Sequence, residues 1–435
     1  MEILSSSVLL IVLLFALLGG GIWIAITLGI IGLVALLLNA PVDPGQVMAT
    51  IMWGQSSSWP LTALPMFIWM GEILFRTRVS EDMFEGLAPW TTGIPGRLMH
   101  VNVFASAVFA AVSGSSTATA ATIGKISLPE LLKRGYDQKM AYGSLAGAGT
   151  LGILIPPSVA MIIYGFLTDT SIAKLFIAGV VPGFLLTVLF SGYIAIWALA
   201  NPNKRPTHDD GATLSIRQRI YNSRRLIPII ILIIAVMGSI YGGVAAPTEA
   251  AVLGVVGALI LSAIYGSLTW KTFVGSIYGA MTTSVMLAFI LAASSVLTVA
   301  MGYTGLPRDL ATWISELGLS QTGLILVLGV LFIVLGMFID GISILVLTAA
   351  IIVPMVQQAG IDLIWFGVYL VIVVEVGLIT PPVGFNLFVI QGISNKDIVF
   401  IARGAVPFFL LMLVAVALIV VFPELVTYLP SQVRL

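Results

Sequence analysis

Apolar runs long enough to cross a bilayer recur along the whole chain. A spanning helix needs about 20 mostly apolar residues, with roughly 17–25 allowed. Candidates lie at 3–19, 22–38, 58–76, 97–112, 116–132, 139–168, 172–200, 226–242, 246–266, 281–301, 321–338, 343–358, 362–392 and 396–422. One polar stretch, 201–225, interrupts them with Pro202, Pro206, Asp209, Asp210, Gly211 and six basic residues. It separates two halves, 1–200 and 226–435, that repeat each other in register. Pro156-Pro157 returns 225 residues later as Pro381-Pro382, and the same offset pairs Pro129 with Pro354, Gly135 with Gly360 and Asp137 with Asp362. It also pairs Gly152 with Gly377, Gly179 with Gly404, Pro182 with Pro407, and Phe184-Leu185-Leu186 with Phe409-Leu410-Leu411. Shared apolar letters mean little in a membrane protein, but Gly, Pro and Asp coinciding without a gap mark an internal duplication, a recurring feature of secondary transporters.

Two stretches do not read as ordinary spans. In 97–134 an apolar run meets Ser113-Gly114-Ser115-Ser116-Thr117 before resuming, and in 321–358 the interruption is Asp340-Gly341-Ile342-Ser343. A polar, Gly-containing break between two short helices describes a re-entrant hairpin, whose irregular tip survives only inside protein or against a wet cavity. The basic residues support this. With hairpins, each half has about five spans, an odd number, so the halves are inverted. Placing 201–225 in the cytoplasm then puts 15 of the 19 Lys and Arg on that side, as the positive-inside rule asks. Both termini fall outside. The N-terminus carries Glu2 and no basic residue before its apolar run, so it reads as a retained first span rather than a signal peptide. Short mixed segments at 81–90 and 307–317, holding Trp90 and Trp313, read as interfacial helices.

The expected fold is therefore an all-α polytopic membrane protein of two inverted repeats. The first holds scaffold spans within 3–76, a hairpin at 97–134, a broken helix at 139–168 and a span at 172–200. The second holds scaffold spans within 226–301, a hairpin at 321–358, a broken helix at 362–392 and a span at 396–422.

Composition narrows the function. Hydrophobic residues make up 59% and charged residues 9%, with mean hydropathy +1.12, against about 25% charged in soluble domains. A water-soluble enzyme is excluded. The net charge of +0 leaves no broad basic face for nucleic acid. With Cys absent and only His100 and His208 present, a transition-metal site has no ligand set. No Walker motif occurs, so transport would draw on something other than ATP.

Candidate chemistry gathers at the interruptions. Pro156-Pro157 and Pro381-Pro382 remove amide donors and bar helical geometry before them, so each long apolar segment should unwind there. Gly147-Ala148-Gly149-Thr150-Leu151-Gly152 and Gly377-Leu378-Ile379-Thr380 place adaptable backbone and hydroxyls just before the breaks. Freed carbonyls and the hydroxyls of Ser113, Ser115, Ser116 and Ser343 suit a dehydrated cation, while helix N-termini leaving the tips suit a carboxylate. Asp340 is the only ionisable tip residue and should be paired, protonated or coordinating a cation. Lys125 lies roughly 12–14 Å along the returning helix, where it either meets an anionic substrate or pairs within the protein. Glu249 is expected to cap a helix; Glu72 and Glu375 have no assignment. A serine-protease reading of Ser113–Ser116 would need His100 as base.

The Ser-Gly-Ser-Ser tip, PELLKRGYD at 129–137, GAGTLGILIPP at 147–157, APTEAA at 246–251 and GLITPP at 377–382 together resemble the large membrane subunit of a tripartite ATP-independent periplasmic (TRAP) transporter. The resemblance covers essentially the whole chain. It implies Na+-driven import of an organic acid across the bacterial inner membrane by an elevator-type carrier. The implied partners are a small membrane subunit of about four helices and a periplasmic substrate-binding protein, with Na+ as coupling ion and no organic cofactor. Carried onto matching positions, it implies one Na+ site at Ser113, Gly114, Ser115, Gly149, Thr150 and Gly152. A second would comprise Asp340, Gly341, Ser343, Gly377 and Thr380. The substrate would lie between the tips, near Ser116, Pro156, Pro157, Pro381, Pro382, Asn386 and Lys125. One departure is Thr348-Ala349-Ala350, where family members often carry a further Pro. The nearest alternative is a stand-alone dicarboxylate or ion carrier of similar architecture.

Overall fold

A computed structural model describes residues 2–204, 215–306, 309, 312 and 320–433. Helices α1 (Glu2–Gly19), α2 (Ile24–Asn39), α3 (Pro44–Ser56), α4 (Ala63–Phe75) and α5 (Val79–Thr91) lead into a hairpin, α6 (Met99–Ser113) and α7 (Ser116–Lys133). A broken helix follows, α8 (Gln138–Gly149) and α9 (Val159–Leu167), and α10 (Ile172–Ala200) ends the half. The second half runs through α11 (Ile216–Ser223), α12 (Ile227–Tyr241), α13 (Pro247–Ile264) and α14 (Trp270–Thr304). Its hairpin is α15 (Gln321–Gly336) and α16 (Gly341–Gln358), its broken helix α17 (Leu363–Leu378) and α18 (Phe385–Ser394), followed by α19 (Ile398–Val421) and α20 (Glu424–Gln432). Among the described residues there is no strand.

The 225-residue repeat is visible in the helix caps. Ser115 caps α7 and Asp340 caps α16; Asp137 caps α8 and Asp362 caps α17. Gly135 and Gly360, which turn the chain between hairpin and broken helix, both have positive φ, 78° and 70°, where a side chain would be strained. The same local signals thus start and stop the same elements twice.

Hydrogen bonds fix the depth and sense of the hairpins. At the feet of the first, the Leu98 amide donates to the Tyr136 hydroxyl at 3.2 Å, and Lys204 at the start of the polar linker pairs with Asp137 at 3.3 Å. At the feet of the second, Gln321 donates to the Ala359 carbonyl at 2.8 Å. Each tip stops at a helix break. The Val159 amide donates to Gly114 at 3.3 Å, and the Gly384 amide donates to Met337 at 3.1 Å. Beyond these contacts α9 continues for about 14 Å and α18 for about 15 Å, at 1.5 Å per residue, so neither tip reaches the opposite face. Tyr164, at the far end of α9, donates to Leu363 at the start of α17 at 2.7 Å. Tyr142, near the start of α8, packs edge-on against Phe400 of α19, ring centres 6.1 Å apart. The far end of one broken helix lies level with the start of the other. The repeats are inverted.

Three elements depart from the sequence reading. Asp43, accepting from the Gly45 amide at 2.7 Å, starts the short α3 with Pro44 in its first turn, where no helix was expected. Thr269 starts α14 well before the apolar run at 281–301, so the helix has 35 residues. The segment 424–432 is helical too. The first mixed segment is a helix, α5, held to the linker's end by Arg225, which pairs with Asp82 at 3.3 Å and with Glu85. Its counterpart at 307–317, apart from 309 and 312, lies outside the described residues, as do linker residues 205–214.

Around the broken helices the packing is backbone-close. Residues 140–149 and 365–378 are all buried, whereas α12 and α19 turn large apolar side chains such as Ile231, Ile234, Val406 and Leu410 outward. Small residues let helices approach where apolar burial alone gives no drive. A Cβ on Gly143 would stand 2.1 Å from the Gly404 carbonyl oxygen, across the α8–α19 crossing. Gly143→Ala should lower stability by on the order of 1–3 kcal/mol through overpacking, read as a fall in the thermal unfolding midpoint in detergent. Gly192→Ala, with nothing within 4 Å of the new methyl, should leave the midpoint unchanged.

Candidate ion and substrate site at the hairpin tips

The first tip is a tight polar turn pressed onto the first break. Gly114 ends α6 in the left-handed region, φ 59°, and Ser115 caps α7 through the Ala118 amide. Ser113 and Thr119 hydroxyls lie 2.8 Å apart, and Thr119 also donates to the Ser115 carbonyl at 2.8 Å. Opposite them, α8 tightens into a single 3-10 turn, residues 150–153, before Pro156-Pro157. Gly152 belongs to this contact because only hydrogen fits: a Cβ there would lie 2.4 Å from the Ser115 carbonyl oxygen. Thr150 turns its hydroxyl back onto the Gly147 carbonyl at 2.6 Å.

The second tip repeats the plan with a charge. Asp340 accepts from the Ser343 amide at 3.1 Å and from the Ser343 hydroxyl, so its carboxylate caps α16 at the turn. Gly336 and Gly377 meet backbone to backbone, a Cβ on Gly377 falling 2.6 Å from the Gly336 Cα. Thr380 donates to the Val376 carbonyl at 2.6 Å. Pro381 and Pro382 are exposed, whereas Pro156 and Pro157 are buried, so the second break is the open one.

The two assemblies share a centre. Gly341 of the second tip faces Ile153 of the first break and Val374 of the second broken helix, while Gly149 faces Asn386 across the middle. The Ser116 hydroxyl donates to the buried carboxylate of Glu375. Ser113, Gly114, Ser115, Gly149, Thr150 and Gly152 are thus brought together, as are Asp340, Gly341, Ser343, Gly377 and Thr380. Ser116 and Asn386 lie between the two groups.

Other residues stand apart. Lys125 is exposed, with its ammonium 5.6 Å from the centre of the Phe75 ring, away from the tips. Glu249 caps α13 by accepting from the Ala246 amide at 2.9 Å, and Glu72 pairs with Arg76 at 3.0 Å. His100 bonds Ser191 and the Pro95 carbonyl, each at 2.7 Å. It sits at the opposite end of α6 from Ser113, about 20 Å away by helical rise, so the tip serines have no base beside them. A cavity of about 730 Å³ lies away from the tips, between α9–α10 and the start of α13; Asp169 and Glu249 line it, an acidic wall ill suited to a carboxylate. The Glu375 contact is what sequence reasoning missed. The 225-residue offset carried the signal, since it sets this acid opposite Thr150, already a candidate.

A family model for the DctM component of tripartite ATP-independent periplasmic transporters matches residues 11–425. The chain belongs to that family. A C4-dicarboxylate TRAP transporter large permease protein of Pseudomonas aeruginosa is 33% identical over 93% of this chain and 94% of its own length. A sialic acid TRAP transporter permease protein of Haemophilus influenzae is 28% identical over 92% of this chain and 67% of its own length. Among solved structures, the YdaH transporter of Alcanivorax borkumensis, described as having an unusual topology, superposes with TM-score 0.65 over 89% of this chain and 88% of its own, at 13% identity. That likeness is one of fold. As a DctM component the chain is a multi-pass membrane protein, the large permease of a secondary importer that works with a binding protein.

The close seat of tip and break gives a test. Gly152→Ala should drive Ser115 out of position and lower substrate uptake by on the order of tenfold or more, a loss of about 1.4 kcal/mol. Reconstituted uptake beside a melting curve checks it.

Proposed function

We propose that this DctM component imports an organic acid coupled to Na+, by an elevator movement of the hairpins and broken helices against a scaffold. The observation that carries the reading is the convergence of eight half-helix ends at one centre. The N-termini of α7, α9, α16 and α18 and the C-termini of α6, α8, α15 and α17 all lie at the tips and breaks. Positive dipole ends favour an anionic group, and carbonyl ends favour a cation, which is how broken-helix carriers bind both. Ser113, Gly114, Ser115, Gly149, Thr150 and Gly152 would hold one Na+, and Asp340, Gly341, Ser343, Gly377 and Thr380 a second. The substrate carboxylate would lie near Pro156, Pro157, Pro381 and Pro382, with Lys125 too far out to take part.

The scaffold would be the close pairs α2–α14 and α4–α13; in the first, Gly32 lies against Val296 and Leu297. Sialic acid and C4-dicarboxylates, carried by the relatives, are both carboxylates, which supports the substrate class without naming the molecule. The tripartite family supports a small membrane subunit and a periplasmic binding protein as partners. The ion pairs of Lys204 with Asp137 and of Arg225 with Asp82 would lie on the cytoplasmic side by the bias of the basic residues, and both termini would then be periplasmic.

Proteoliposomes holding the large and small subunits test this. Uptake of the substrate should need both an inward Na+ gradient and the binding protein. Uptake without Na+ would contradict the coupling, and uptake without the binding protein would favour a stand-alone carrier. Asp340→Asn should raise the Na+ concentration for half-maximal uptake by on the order of tenfold, about 1.4 kcal/mol, with little change in melting midpoint. An unchanged Na+ dependence would remove Asp340 from the site.

A further inference from the structure

Glu375 has no role in the two tip sites. It lies in the last turn of α17 and is 1% exposed. Its Oε1 accepts from Ser116, the first residue of α7 in the other half, and its Oε2 has no partner. Beside it stands Asn386 of α18, 0% exposed, its amide close enough to act on the Glu375 carboxyl but out of line for a well-made hydrogen bond. Among the described residues no basic side chain pairs with Glu375. A carboxyl with one oxygen unmatched and an amide out of line beside it are costly in the interior, since burying polar groups without well-made hydrogen bonds costs on the order of 1–3 kcal/mol each.

The duplication makes the trio more pointed. At an offset of 225 residues, Glu375 stands where the first half has Thr150, Asn386 where it has Met161, and Ser116 where the second half has Gly341. The mirrored position therefore holds Thr150, satisfied by its own helix at 2.6 Å, with apolar Met161 and Gly341. Packing at this spot needs no acid, because the other copy packs without one.

We propose that Glu375, Asn386 and Ser116 form a further Na+ site, apart from the two tip sites. Glu375 Oε2 and Asn386 Oδ1 are the side-chain ligands, a half-turn of the amide being enough to present its oxygen, and Ser116 orients the carboxylate. One carboxylate balances one monovalent charge, whereas a divalent ion would stay half-neutralised in a buried site. The ion would tie the tip of one hairpin to the broken helix of the other repeat, so its occupancy reports on both halves at once. This rests on the Na+-coupled reading above and adds one ion to it.

Equilibrium binding of radioactive Na+ to the purified large and small subunits tests the site, with melting curves in Na+-free and Na+-containing buffer. Glu375→Gln should bind one Na+ fewer per large subunit than the wild type. Without Na+ it should melt no lower than the wild type, because Gln can still accept from Ser116 and a buried acid has been replaced by a neutral amide, and Na+ should raise its midpoint less. Asn386→Ala, which keeps the acid and loses one ligand, should weaken the same ion on the order of tenfold. Glu375→Gln binding the wild-type number of Na+ overturns the site, as does a variant whose only change is in proton uptake. A wild type that binds no Na+ would instead overturn the coupling itself.

Discussion

Everything in this molecule follows from the need to satisfy a broken backbone far from water. In hydrocarbon, irregular main chain is tolerated only where protein or a wet cavity covers it. Four interruptions, two tips and two Pro-Pro breaks, would each be unstable alone. Here each tip is seated in a break of its own repeat, with the amide beyond the break donating to a tip carbonyl in both halves. The glycines at 152, 336 and 377 allow that seat because their backbones touch the partner directly. Polar, irregular backbone can then persist in the interior of a helical membrane protein.

Inversion brings these two seats to one place. A repeat pointing one way offers helix N-termini from one side; its inverted copy offers them from the other. Contacts such as Ser116 with Glu375 and Gly149 with Asn386 cross from one repeat to the other, so the centre belongs to neither half. Symmetry builds the frame, and departures from it carry the chemistry. Asp340 stands opposite Ser115, Glu375 opposite Thr150, and exposed Pro381-Pro382 opposite buried Pro156-Pro157.

Much of this was legible beforehand, because the signals were local or repeated. Caps, glycines and proline pairs mark ends and breaks wherever they occur, and their recurrence at one offset exposed the duplication. The hairpins followed from charge counting, since only an odd number of crossings gathers the basic residues on one side. Less legible was α3, whose scattered Gln46, Thr50, Gln55 and Ser56 keep it out of a search for apolar runs, and the early start of α14, set by Thr269 rather than by hydropathy. Lys125 could not be placed from spacing along the helix, because its direction depends on rotation against Phe75 of another element. Glu375 escaped for a related reason: Ser116, which bonds it, lies 259 residues before it, and its neighbour Asn386 lies across a helix break, separations no local pattern spans.

The seating of the tips within the membrane is most directly measured by depth. The chain has no Cys, so a single introduced cysteine can carry a spin label, whose access to oxygen and to a water-soluble relaxant reports depth in a bilayer. Labels at Thr117 and Phe338, beside the two tips, should lie about 10 Å or more inside both headgroup planes of a hydrocarbon layer about 30 Å thick, and a label at Lys204 should lie at the surface. Labels at Thr117 and Phe338 found level with the headgroups would mean that the helices cross fully, and the shared centre would not exist.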